Sequence, residues 1–253
     1  MSKQYRSRLA AFETAENERG KRMAKIKICG LFRPEDMDFV NEAKPDYIGF
    51  VFANSRRRVS PETAAKLRKM LDPEIKAVGV FVDAPIEIPV SLVRGGIIDL
   101  VQLHGNEDET YIRALKQKFS ELSIHGALQE AASSDQSEES NHFSVIKAVR
   151  VERLEDITAM QSSTADYLLL DNGPGGTGTT FDWRLAMRAD AGNENNKSFF
   201  LAGGLHSGNV EDAIETLSPY AVDVSSGVET DGLKDRSKII DIVARVRQSN
   251  SQR

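Results

Sequence analysis

The chain has one cysteine, Cys29, and one tryptophan among its 253 residues. A single thiol excludes an intrachain disulfide and any multi-cysteine zinc or iron–sulfur centre. No apolar run approaches the roughly 18 residues that a membrane helix needs, so no membrane partner is expected. A basic excess is missing as well: 33 Lys and Arg stand against 38 Asp and Glu, for a net charge of −5. That balance argues against non-specific binding of nucleic acid or anionic membranes. Residues 1–24 hold three Glu and no apolar segment, so neither a secretory signal nor a transit peptide is expected. The cytoplasm is the default compartment.

What the sequence does have is an alternation. Strand-like runs occur at Lys25–Cys29, Asp46–Phe52, Lys76–Val82, Ile98–Leu103, Ser144–Val149, Ala165–Asp171, Lys197–Ala202 and Tyr220–Ser225. Most are near-continuous apolar stretches, the pattern of parallel strands covered on both faces. Helical segments lie between them. Ser60-Pro61-Glu62 offers an N-cap serine followed by proline at the first helical position. Ser207–Glu211 offers polar caps and an acidic first turn, and Leu233–Arg247 spaces Ile239, Ile240, Val243 and Val246 helically. Eight such units predict a single α/β domain, a closed (β/α)₈ TIM barrel. The barrel is expected over residues 25–248, after a polar extension at 1–24 and before a short tail at 249–253. A Ser- and Glu-rich stretch at 126–142 reads as a solvated surface insertion before the fifth strand.

In such barrels the active site lies at the C-terminal ends of the strands. There this chain carries Cys29-Gly30, Ser55-Arg56-Arg57-Arg58, Gln102-Leu103-His104, Asp171-Asn172 with a Gly-rich run at Gly173–Gly178, Gly203-Gly204 and Ser225-Ser226-Gly227. Small residues in the loops after strands seven and eight let backbone N–H groups converge on an anion. Gly203, Gly204, Ser225, Ser226 and Gly227 are therefore candidate phosphate-binding residues. The expected ligand is a small phosphosugar.

The segments IKICG (26–30), DYIGFVFANSRRRVSP (46–61), VQLHG (101–105), LLLDNGPGGTGTTFDW (168–183), LAGGL (201–205) and AVDVSSGVE (221–229) resemble the phosphoribosylanthranilate isomerases of tryptophan biosynthesis. The resemblance implies an Amadori rearrangement of N-(5-phosphoribosyl)anthranilate to 1-(2-carboxyphenylamino)-1-deoxyribulose 5-phosphate, with no metal or organic cofactor. It implies Cys29 as general base and Asp171 as general acid, with Arg57 on the anthranilate carboxylate and Arg56 or Arg58 able to share that work. Gln102, His104 and Asp223 are expected beside the substrate, Asp223 on a ribose hydroxyl or the phosphate loop. For these roles Cys29 should ionise below the free thiol value near 8.5, and Asp171 should hold its proton above the usual carboxylate value near 3.9. The assembly expected is a monomer or homodimer. Competing readings are a histidine-pathway or bifunctional Amadori isomerase, which as families carry Asp in place of Cys29, and a non-catalytic phosphosugar-binding barrel.

Overall fold

The computed structural model describes residues 23–130, 143–172, 182–190 and 197–251. Eight parallel strands close into a barrel in chain order. They are β1 (Lys25–Cys29), β2 (Tyr47–Val51), β3 (Lys76–Phe81), β4 (Leu100–Leu103), β5 (Ser144–Arg150), β6 (Tyr167–Asp171), β7 (Phe199–Leu201) and β8 (Ala221–Val224). A helix follows each one: α1 (Pro34–Ala43), α2 (Pro61–Met70), α3 (Glu87–Arg94), α4 (Glu109–Glu130), α5 (Leu154–Met160), α6 (Arg184–Asp190), α7 (Val210–Leu217) and α8 (Arg236–Ser251). Every expected strand forms. Ser60 caps α2 as its sequence suggests, accepting the Thr63 N–H at 3.2 Å.

Period-two alternation along each strand separates two packing layers. Ile26 and Ile28 of β1 join the apolar layer between sheet and helices, and Val222 and Val224 of β8 do the same. The opposite faces point into the barrel. At its N-terminal end that interior is filled by Tyr47, Leu169 and Phe200, with Tyr167 and Tyr220 packed against them. The rings of Tyr167 and Tyr220 stack at 4.6 Å, and Lys25 Nζ donates to the Tyr220 hydroxyl at 3.0 Å. This aromatic floor closes one end of the barrel, so interior side chains nearer the other end face a cavity.

Two boundaries differ from the sequence reading. The last helix begins at Arg236, not Leu233, because Glu229–Thr230 (β9) and Leu233–Lys234 (β10) pair as a small antiparallel hairpin. Asp235 then makes the helix start: its Oδ1 accepts the N–H groups of Ser237 and Lys238 at 2.9 and 3.2 Å. Those bonds and the Ser237 and Thr230 hydroxyls push its pKa down to about 2. Replacing Asp235 by Ala should cost about 0.5–2 kcal/mol in chemical denaturation, the usual range for a lost cap. Because the folded pKa is depressed, this contribution is present above the unfolded value and is lost as pH falls toward 2. A stability difference between wild type and variant that does not shrink on acidification would remove the carboxylate from this role. The second boundary is that α4 runs through Glu130, so residues 126–130 of the expected insertion are helical. Residues 131–142, the extension at 1–22 and the Gly173–Gly178 run lie outside the described residues.

Candidate active site

A cavity of about 450 Å³ opens at the C-terminal ends of the strands. Cys29, Asp171, Asp223, Gln102, His104 and Arg57 all line it. The loops after β7 and β8 contribute Gly203, Gly204, Ser225 and Ser226 to the same wall. Candidates from β1, β4, β6, β7, β8 and the β2–α2 loop thus meet in one place, although 196 residues separate Cys29 from Ser225, whose hydroxyl donates to the Cys29 carbonyl at 3.1 Å. Gly227 does not line the cavity. It sits in a short 3₁₀ turn, Ser226–Val228, where a Cβ would fall 2.0 Å from the Leu205 carbonyl oxygen. That glycine is needed for the close approach of the two loops. Gly203 and Gly204 take φ of +82° and +64°, a region costly for other residues.

Cys29 ends β1 with its side chain facing inward, opposite Gly49 of β2. A Cβ at Gly49 would come within 2.7 Å of the sulfur, so the glycine makes room for the thiol. Burial pushes the Cys29 thiol up, while the ammonium groups of Lys27 and Lys234 pull it down without prevailing. The expected net downward shift is therefore corrected: in the free protein desolvation outweighs the positive neighbours.

Beneath the thiol, two residues back on the same inward face, lies Lys27, which is 0% exposed. Its Nζ donates to Asp223 Oδ2 and to Gln102 Oε1, each at 2.9 Å. Burial works against its charge, but Asp223 and Cys29 outweigh that and hold its pKa above the ordinary value. Asp223 Oδ1 is buried with no hydrogen-bond partner among the described residues. Gln102 Nε2 lies 2.9 Å from His104 Nδ1, and His104 Nε2 lies 3.7 Å from Asp171 Oδ2. Burial pushes the His104 pKa down, assisted by Lys27, so the ring is neutral at pH 7. Asp171 Oδ1 accepts the Asn172 N–H at 2.8 Å.

Arg57 is buried, and its guanidinium makes a two-pronged contact with Glu229: Nε to Oε1 at 2.7 Å and Nη2 to Oε2 at 2.9 Å. Arg56 reaches the same carboxylate at 2.6 Å and Lys234 at 2.8 Å, whereas Arg58 is exposed. Of the arginine run, only Arg57 is both buried and at the cavity. Lys27, Glu229 and Lys234 are the site residues that sequence reasoning missed. One signal was available: a lysine at every second position of Lys-Ile-Lys-Ile-Cys marks charge on the interior face of a buried strand. Among the described residues, no group of three or more His, Cys, Asp or Glu side chains could hold a metal ion.

A closed (β/α)₈ barrel whose strand ends bring a buried thiol, a carboxylate and two small-residue loops to one cavity belongs to the class of barrel enzymes. The profile of the N-(5'-phosphoribosyl)anthranilate isomerase family matches in two overlapping segments, residues 26–142 and 121–245. The isomerase of Endomicrobium trichonymphae is 44% identical over 225 residues, covering 87% of this chain and 97% of that protein. That of Acetivibrio thermocellus is 43% identical over 232 residues, covering 90% and 98%. Among solved structures, the enzyme from Thermus thermophilus superposes with a TM-score of 0.72 at 30% identity, covering 88% of this chain and 98% of that one. A family member in complex with reduced 1-(o-carboxyphenylamino)-1-deoxyribulose 5-phosphate gives 0.70 at 32%, covering 89% and 100%. The chain belongs to the phosphoribosylanthranilate isomerase family, isomerases of tryptophan biosynthesis.

Proposed function

We propose that the cavity carries out the Amadori rearrangement of N-(5-phosphoribosyl)anthranilate with Cys29 as general base and Asp171 as general acid. The carrying observation is that these two groups, from strands β1 and β6, line one cavity together with both small-residue loops. Asp171 gives its proton to the ribose ring oxygen, opening the furanose to an iminium at C1′. Cys29 takes the C2′ proton, leaving an enolamine that tautomerises to the 2′-ketone. No bond to the protein forms; Asp171 has given one proton and Cys29 has taken one, so exchange with solvent restores both groups and the substrate changes only in where its hydrogens sit.

The ligand of the related complex carries a carboxylate at one end and a phosphate at the other. In this chain Arg57 is the residue we assign to the carboxylate. Glu229 engages two of its N–H groups, and a guanidinium has five. The remaining ones suit a planar anion. Gly203, Gly204, Ser225 and Ser226 take the phosphate, with Gly227 shaping the loop. The unpartnered Asp223 oxygen suits a ribose hydroxyl. All of these groups come from one chain, so the reading holds for a monomer or a homodimer; one solved relative is described as monomers generated from a dimeric isomerase.

The direct test is fluorescence-monitored turnover of freshly made phosphoribosylanthranilate, with the histidine-pathway aminoaldose as control. Turnover of the first and not the second is expected. Turnover of neither, or of both alike, would overturn the assignment. Arg57→Ala should weaken a carboxylated product analogue by about 10- to 150-fold, the equivalent of about 1.5–3 kcal/mol for a charged hydrogen bond. Unchanged binding would transfer that contact to Arg56 or Arg58.

A further inference from the structure

Lys27 is the largest fully buried polar side chain of the described residues, and the reaction as drawn above gives it no task. Its contacts assign one. An ammonium group only donates hydrogen bonds, so the Gln102 atom 2.9 Å from it must be the amide oxygen. The amide nitrogen is then the atom facing His104 Nδ1 at 2.9 Å. That nitrogen also only donates, so Nδ1 must accept. A neutral imidazole carries one N–H, which leaves it on Nε2, the atom 3.7 Å from Asp171 Oδ2. The same ammonium lies two residues before Cys29 on the same inward strand face, where its charge acts on the thiol, and it is clamped by Asp223 of the adjoining strand.

We propose that Lys27 is the positioning residue of the site: it holds the positive charge opposite a thiolate at Cys29 and, through Gln102, fixes His104 as the tautomer that presents Nε2–H to Asp171. One buried cation thereby serves both proton-transfer groups from beneath the cavity. The inference rests on the reading of Cys29 as base, but its first test does not. Other charges face Cys29 as well: Asp223 from β8 opposes ionisation, and Lys234 from β10 favours it. Arg57 lies beside Gly30, and His104 and Asp171 line the same cavity as the sulfur. Of these only Lys27 shares the inward face of β1 with the thiol and also bonds the Gln102 amide.

Because Cys29 is the only cysteine, alkylation by iodoacetamide as a function of pH reads this thiol alone. Lys27→Met should move the midpoint upward by about one to three pH units, lowering the rate at a fixed pH below it by about 10- to 1000-fold. Asp223→Asn should move it downward. Removing Lys27 alone leaves Asp223 buried without its counter-charge, which can prevent folding. The double variant Lys27→Met with Asp223→Asn removes both charges, and its midpoint should lie above that of Asp223→Asn alone. The tautomer is read separately by ¹⁵N NMR: His104 should carry its proton on Nε2, and Gln102→Glu, which turns the donor into an acceptor, should move it to Nδ1. An unchanged alkylation midpoint in a folded Lys27 variant, or a wild-type His104 protonated on Nδ1, would overturn the proposal. Full turnover by Cys29→Ala would instead overturn the assignment of the base and leave the alkylation result standing.

Discussion

Cys29→Ala and Asp171→Asn are each expected to lower kcat by about 10²–10⁴-fold, the range for removing a positioned general acid or base. Neither residue is the anchor for the charged ends of the substrate, so KM should move far less than kcat. Both substitutions are geometrically mild. Cys29 sits at the cavity wall, so losing its sulfur enlarges an existing space and opens no void in the packed layers. An Asn side chain at 171 keeps an oxygen able to accept the Asn172 N–H, now 2.8 Å from Oδ1. Melting curves should therefore stay close to wild type while turnover collapses. Cys29→Ser is the sharper control: it preserves shape, but a hydroxyl ionises far too weakly to take a carbon-bound proton. If the Ser variant turned over at near wild-type rate, the thiol would have no part in proton transfer.

The barrel was legible in the sequence because its strands are short, mostly apolar and evenly spaced between helical segments. The residues at strand ends were legible for the same reason: once strand order is known, the chemistry must follow each strand. Cys29, Asp171, Gln102 and His104 were found that way and Asp223 through the family resemblance, and the structure brings all of them to one cavity. Partnerships were not legible. Arg57 and Glu229 are 172 residues apart, and nothing local tells either of the other. The β9–β10 hairpin escaped notice because each strand is only two residues long, too short for any periodicity. The direction of the Cys29 shift was misjudged for a related cause. A sequence reveals which charges exist but not how deeply they lie, and here depth outweighs charge.

Glu107→Ala should destabilise the fold by about 3–5 kcal/mol, the cost of stripping one partner from a buried ion pair. Glu107 follows β4 in the chain, and its side chain is 1% exposed. Three segments depend on its carboxylate. Oε1 accepts the Asp83 N–H at 2.7 Å, and Oε2 accepts the Gly105 N–H at 2.9 Å and Lys147 Nζ at 3.2 Å. The residue thus ties the loop after β3 to the loop after β4 and to β5. Its removal would leave the Lys147 ammonium with the Gly105 carbonyl, 2.6 Å away, and no counter-charge, and would leave two backbone donors unpaired. Against a typical total stability of about 5–15 kcal/mol this is a large fraction, so the midpoint of urea denaturation should fall sharply. Glu107→Gln retains an acceptor without the charge and should lie between. The pair Glu107→Ala with Lys147→Met removes the stranded cation, and it should recover part of the loss though not the Asp83 and Gly105 bonds. Additive losses in that cycle would mean that the two side chains are not coupled, and a Glu107→Ala midpoint near wild type would deny the carboxylate its role in joining the three segments.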